Sequence, residues 1–129
     1  MDLKDYFDKT RGFGVLSTAD AEGRVDAAVY GRPHIMPDGT MAFIMNDRLS
    51  HHNLQYNPHA AYLFREAREG FGGKRFFITK VSEEQDTERL RQMRRRTYPN
   101  EAPFAGPRYL VFFRIDKELP LIGPDGEEN

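Results

Sequence analysis

The chain has 129 residues, 19 Lys plus Arg against 20 Asp plus Glu, and no Cys. That length ordinarily builds one hydrophobic core, so a single domain over residues 1–129 is expected, and a formal charge of -1 supplies no global field for nucleic acid or an anionic membrane. Without Cys there are no disulfides, thiol nucleophiles, iron–sulfur ligands or usual structural zinc sites, and any redox chemistry must be carried by a cofactor.

The opening MDLKDYFDKTRG is too charged for a signal peptide, and no apolar run approaches the roughly 18 residues of a membrane span. A soluble, cytoplasmic protein is therefore expected. Asp2 is placed to cap a short helix whose Leu3, Tyr6 and Phe7 share a face, with Gly12 or Gly14 ending it. Phe13 to Thr18 is apolar and β-prone, and Ala19 to Gly23 carries the Asp and Gly of a tight connection into a second strand from Arg24 to about Arg32. Pro37, Asp38 and Gly39 form a turn before a third strand, Met41 to Asn46.

Ser50 to Asn57 reads as a short helix capped by Ser50 and closed by Asn57-Pro58, because proline disfavours helical backbone before it. Ala60 to Arg65 and Lys74 to Val81 pair around the glycine-bearing loop Glu69 to Gly73. Ser82 with Gln85 fits a capping box, the turn Glu83 to Asp86 is acidic and Arg94, Arg95 and Arg96 match the far end of the dipole, which predicts a helix docking through Leu90 and Met93. Tyr109 to Ile115 is the last strand, and the Pro, Gly and acidic tail from about residue 119 reads as flexible. Six strands with short turns predict a mainly β protein, a closed or partly closed antiparallel barrel with a few peripheral helices.

The segment richest in chemistry is MNDRLSHHNLQYNP, Met45 to Pro58. Free amide groups at a helix start, with Arg48, Ser50, His51 and His52 around them, suit an anion such as a phosphate; the same residues also read as a capped surface helix. His51 and His52 point about 100° apart on a helix, and with His34 and His59 remote and no HxxxH or HExxH spacing, no metal site is expected. Gly70, Gly72 and Gly73 fit a hairpin loop better than a phosphate cradle. Asp26 is open between an edge charge and a pocket group, as are Lys74, Arg75 and Lys80 between an anion entrance and a solvated strand face.

Three blocks, GVLSTADAEGRVDAAVYGRPHI, FIMNDRLSHHNLQYNPHAAYLF and GKRFFITKV before a charged helix, resemble the pyridoxamine-5'-phosphate-oxidase-like flavin-binding split barrels. The most specific piece is Asn-Leu-x-x-Asn-Pro, Asn53 to Pro58, running into an apolar strand. The resemblance implies a six-stranded antiparallel split β-barrel, a homodimer, and flavin mononucleotide (FMN) at the subunit interface. It places Ala28, Val29 and Tyr30 against the flavin ring, Met45 and Asn46 near the ring and ribityl chain, and Arg48, Ser50 and His51 at the phosphate with His52 and Asn53 beside it. Phe104 and Tyr109 are expected from the partner subunit. Ser50 stands where many members carry a phosphate-binding Lys, and many also carry an Arg in the second strand close to Ala28, where residues 25–31 of this chain have none.

The activity implied is flavin-dependent oxidation or reduction of a small-molecule substrate other than pyridoxamine phosphate, no catalytic side chain being singled out beyond Tyr30 or a histidine as proton carriers. A deazaflavin or haem is the alternative cofactor, and a barrel that binds a flat ligand without catalysis is the alternative function. A nucleic-acid-binding barrel is disfavoured, because an Arg run closing a helix with an acidic start matches the dipole.

Overall fold

The computed structural model describes residues 2–97 and 106–123, with backbone only for 95–97. Phe104, residues 124–129 of the tail and the side chains of Arg95 and Arg96 lie outside that range. Three helices and seven strands follow in the order α1 (Leu3–Lys9), β1 (Gly12–Ala19), β2 (Val25–Val29), β3 (His34–Ile35), β4 (Met41–Asn46), α2 (Leu49–Leu54), β5 (His59–Glu66), β6 (Gly73–Gln85), α3 (Glu88–Thr97) and β7 (Arg108–Pro120). The strands form one antiparallel sheet ordered β2-β1-β5-β6-β7-β4-β3. Its ends, β2 and β3, are close in sequence but unpaired with each other, so the curled sheet stays open along one seam.

Alternation decides which residues fill the curl. Leu16, Met41, Phe43, Met45, Tyr62, Phe64, Phe76, Ile78, Val111 and Phe113 point inward with Phe7 from α1, and Phe43 meets Tyr62 edge-on at 4.9 Å. Burying each such side chain contributes about 1.5–3 kcal/mol, and edge-on aromatic pairs add about 0.5–1.5. Strand β7 is buried on both sides, because Leu110 and Phe112 face a second cluster made with Ala42, Leu90 and Met93. That accounts for the unbroken apolar run YLVFF, and Leu90 and Met93 form the docking stripe of α3.

Several element boundaries, and one additional strand, differ from the sequence expectation. Helix α1 has Asp2 as its cap, with the Asp5 amide donating to it at 2.8 Å, but it ends at Thr10 before either glycine. Strand β2 stops at Val29, since the Tyr30 and Gly31 carbonyls accept the Tyr62 hydroxyl instead of a ladder bond. A two-residue strand, β3, lay unrecognised before the Pro37–Gly39 turn. Residues 82–85 are strand, paired with Tyr109 to Phe112, and not the first turn of a helix. Register shifts after Phe77 and around Val81 bend β6, Asp86 turns the chain at φ 49°, and the Thr87 hydroxyl accepts from the Leu90 amide as α3 begins. At the other end Leu119 is buried and Pro120 pairs with Lys74, so β7 outlasts the predicted strand by five residues, Asp116 to Pro120, and enters the segment read as flexible tail.

Candidate functional site

The residues around MNDRLSHHNLQYNP meet at the open seam. Strand β4 delivers Asn46, whose carbonyl accepts the Arg48 amide at 2.9 Å, and the chain turns into α2. Arg48, not Ser50, holds the cap position, and its side chain makes no capping bond. Helix α2 packs across the inner side of β1 and β2, with Asn53 Nδ2 donating to Thr18 Oγ1 at 3.1 Å. Asn53 Oδ1 is buried without a hydrogen-bond partner among the described residues.

Register splits the β2 prediction into two faces. Ala28 lies opposite Leu16 on the inner side, with Tyr30 following on that side, whereas Val29 lies opposite Val15 on the outer face. Tyr30 packs edge-on to Phe43 at 5.8 Å. Burial raises the Tyr30 hydroxyl's pKa above the ordinary tyrosine value, while a hydrogen bond with Ser50 and the Arg48 charge pull it the other way. Ala28, Tyr30, Arg48 and Ser50 thus converge, with the Asp26 carboxylate close enough to act on Tyr30. Glycine at position 14 is required here: a Cβ would collide with the Tyr62 hydroxyl and the Tyr30 carbonyl, and that hydroxyl holds Gly31 at 2.9 Å.

His51 points elsewhere. Its ring stacks on Tyr109 of its own chain at 3.7 Å and 13°, and Nε2 lies 3.1 Å from Glu83 Oε1. Tyr109, expected from a partner subunit, is therefore engaged within its own chain. Lys80 Nζ and Gln55 Nε2 also donate to Glu83, at 2.6 and 3.2 Å. Burial raises the Glu83 carboxyl, but the bonds from Lys80, Gln55 and His51 outweigh it and hold the group below the ordinary carboxylate range. Met45 sits in the core, 1 % exposed. Among the predicted site residues, Ala28, Val29, Tyr30, Asn46, Arg48 and His52 keep accessible surface, while Met45, Ser50, His51 and Asn53 are buried.

A cleft of about 430 Å³ runs between the β1–β2 turn and α2, lined by Asp20, Glu22, Arg24, Leu49, His52, Asn53 and Tyr56. A larger one, about 550 Å³, lies by α3 and shares none of the predicted residues; there Arg89 stacks over Phe112 at 4.8 Å and pairs with Glu84. On the outer face of the sheet the rows Val29–Val15–Leu63 and Ala27–Ser17–Ala61–Phe77 cross β2, β1, β5 and β6. Val29, Leu63 and Phe77 are 69 %, 38 % and 48 % exposed there, and Phe13 flanks them. Glu83, Thr18 and Tyr62 support the site without having been anticipated, and no local sequence signal marks them, because each acts across more than 25 residues; Lys80, left open between an anion entrance and a solvated strand face, is spent on Glu83.

No protein-family model and no curated protein matches the sequence. Solved structures do. An FMN-binding protein from Syntrophomonas wolfei subsp. wolfei superposes with TM-score 0.70 at 21 % identity, over 92 % of this chain and 83 % of that one. The fold is the split barrel. An F420 reductase shares this split barrel with TM-score 0.69 at 12 % identity, over 92 % of this chain and 98 % of its own. HutZ, the haem storage protein of Vibrio cholerae, shares it with TM-score 0.64 at 16 % identity, over 90 % of each chain. The described part has seven strands where six were predicted, the addition being β3. Among the described residues no helix is long and apolar enough to cross a membrane, and no group of three or more metal-ligating side chains is gathered.

Proposed function

We propose that this chain binds a flat, conjugated cofactor of the flavin class at the seam beside β2, as a single domain used in pairs, and serves an oxidoreductase reaction on a small molecule. The observation that carries the proposal is the open apolar row Val29–Val15–Leu63, which ends on the same edge strand that bears Ala28 and leads directly into Tyr30. A large exposed apolar patch marks an interaction surface, and a second copy covering it would wall the seam. The residues present fit a ring: Ala28 is small, Tyr30 offers an aromatic edge and a hydroxyl oriented by Ser50, and Asn46 brings an amide. When bound, a flavin supplies two-electron transfer. This chain contributes orientation, exclusion of water and, at Tyr30 Oη, a hydrogen bond.

FMN or a deazaflavin has the ring system that this surface suits. Haem is a second reading with one observation in its favour, the exposed imidazole of His52 at the cleft, since a neutral histidine is a common axial ligand. The testing experiment is a visible absorption spectrum of the purified protein incubated with FMN, or separately with haem, and then freed of unbound ligand. Retained flavin bands near one per chain are expected. A Soret band at full occupancy with no retained flavin selects haem, and colourless protein in both cases overturns the proposal.

A further inference from the structure

The donors expected at an FMN phosphate are largely committed to this chain's own side chains. Ser50 is 4 % exposed, so its hydroxyl is withdrawn from the surface. His51 is turned to Glu83 and covered by Tyr109. Asn53 spends its amide nitrogen on Thr18. The neighbouring cleft adds no net positive charge, because Arg24 lies 2.8 Å from Asp20 and 3.1 Å from Glu22. Leu49 in the first turn of α2 is 55 % exposed and offers the cleft an apolar wall. Arg48 is left as an exposed cation that forms no ion pair among the described residues, with His52 nearby.

Resting on the flavin reading above, we infer that this site selects its ligand by the ring system and not by a terminal phosphate, so that isoalloxazines with a neutral tail, riboflavin among them, are ligands of nearly the same affinity as FMN. One exposed ion pair supports at most about a fivefold preference. Salt also screens such a pair.

Fluorescence or calorimetric titration of the 129-residue protein, stripped of ligand, with FMN and with riboflavin gives the ratio of their dissociation constants. A ratio of about fivefold or less is expected, falling to about one in Arg48→Gln, an exposed position, with a thermal melt matching the wild type as the control for folding. A ratio clearly above about fivefold overturns the inference alone and means that cations from a second copy or from outside the described residues complete a phosphate site. A ratio that is unchanged in Arg48→Gln while FMN remains preferred also overturns it. Saturable binding of neither flavin overturns the flavin reading and this inference together.

Discussion

Glu83 joins the site helix to the sheet, and replacing it with Gln tests that joint. The wild-type carboxylate takes Lys80 Nζ at 2.6 Å, His51 Nε2 at 3.1 Å and Gln55 Nε2 at 3.2 Å. The amide keeps the shape and one acceptor but loses the charge. Hydrogen bonds to charged groups contribute about 1.5–3 kcal/mol against about 0.5–1.5 for neutral ones. The Lys80 and Glu83 side chains are 15 % and 24 % exposed, between the surface regime and the buried one, so Glu83→Gln is expected to lose about 1.5–2 kcal/mol. With a urea slope of about 1–3 kcal/mol/M, the midpoint falls by about 1 M. The effect also carries a pH signature. The folded carboxyl sits below its ordinary value of 4.5, so its contribution is present above that value and is lost as pH falls through the folded pKa. Urea unfolding of both proteins at one fixed concentration should show the full gap at pH 7 and a gap that narrows as pH falls below 4.5. A gap under about 0.5 kcal/mol at pH 7, or one that persists unchanged in acid, refutes the joint.

Three further outcomes are expected. Val29→Lys combined with Leu63→Lys places two charges on the open face and should halve the mass measured by light scattering, with far-ultraviolet circular dichroism unchanged; a mass equal to wild type means the second copy docks elsewhere. Tyr62→Phe removes the hydroxyl that holds Gly31 and should lower stability by about 1–2 kcal/mol, read as a drop in Tm of several degrees. Gly14→Ala forces a methyl against the Tyr62 hydroxyl and the Tyr30 carbonyl, so it should destabilise by about 1–3 kcal/mol and weaken cofactor binding through Tyr30, whereas a neutral result in both assays would contradict the close packing.

Alternation, turn residues and the Asn-Leu-x-x-Asn-Pro block carry short-range information, and they locate β1, β4, β5, α1 and the existence of α2 and α3. Local capping chemistry misled at Ser82 and Ser50 for one reason. A serine hydroxyl near a helix start takes whichever place the fold gives it, and here β7 pairing kept residues 82–85 extended while Ser50 was buried inside α2 with Arg48 at the cap. His51 behaves alike: its type and spacing fit an anion, but the bulge in β6 lifts Glu83 beneath α2 and the carboxylate wins.

What the sequence by itself determines about this protein is the antiparallel character of the sheet, the lack of thiol chemistry and the segment where chemistry concentrates, because these depend on residue type and on patterns a few positions long. Only the tertiary structure decided that Val29 faces outward while Ala28 and Tyr30 face α2, that Tyr109 stacks on His51, and that Arg48 remains while its neighbours are spent. Those outcomes depend on register and on which side chains meet across distant strands, and a pairing shift of one residue would reverse every one of the facings.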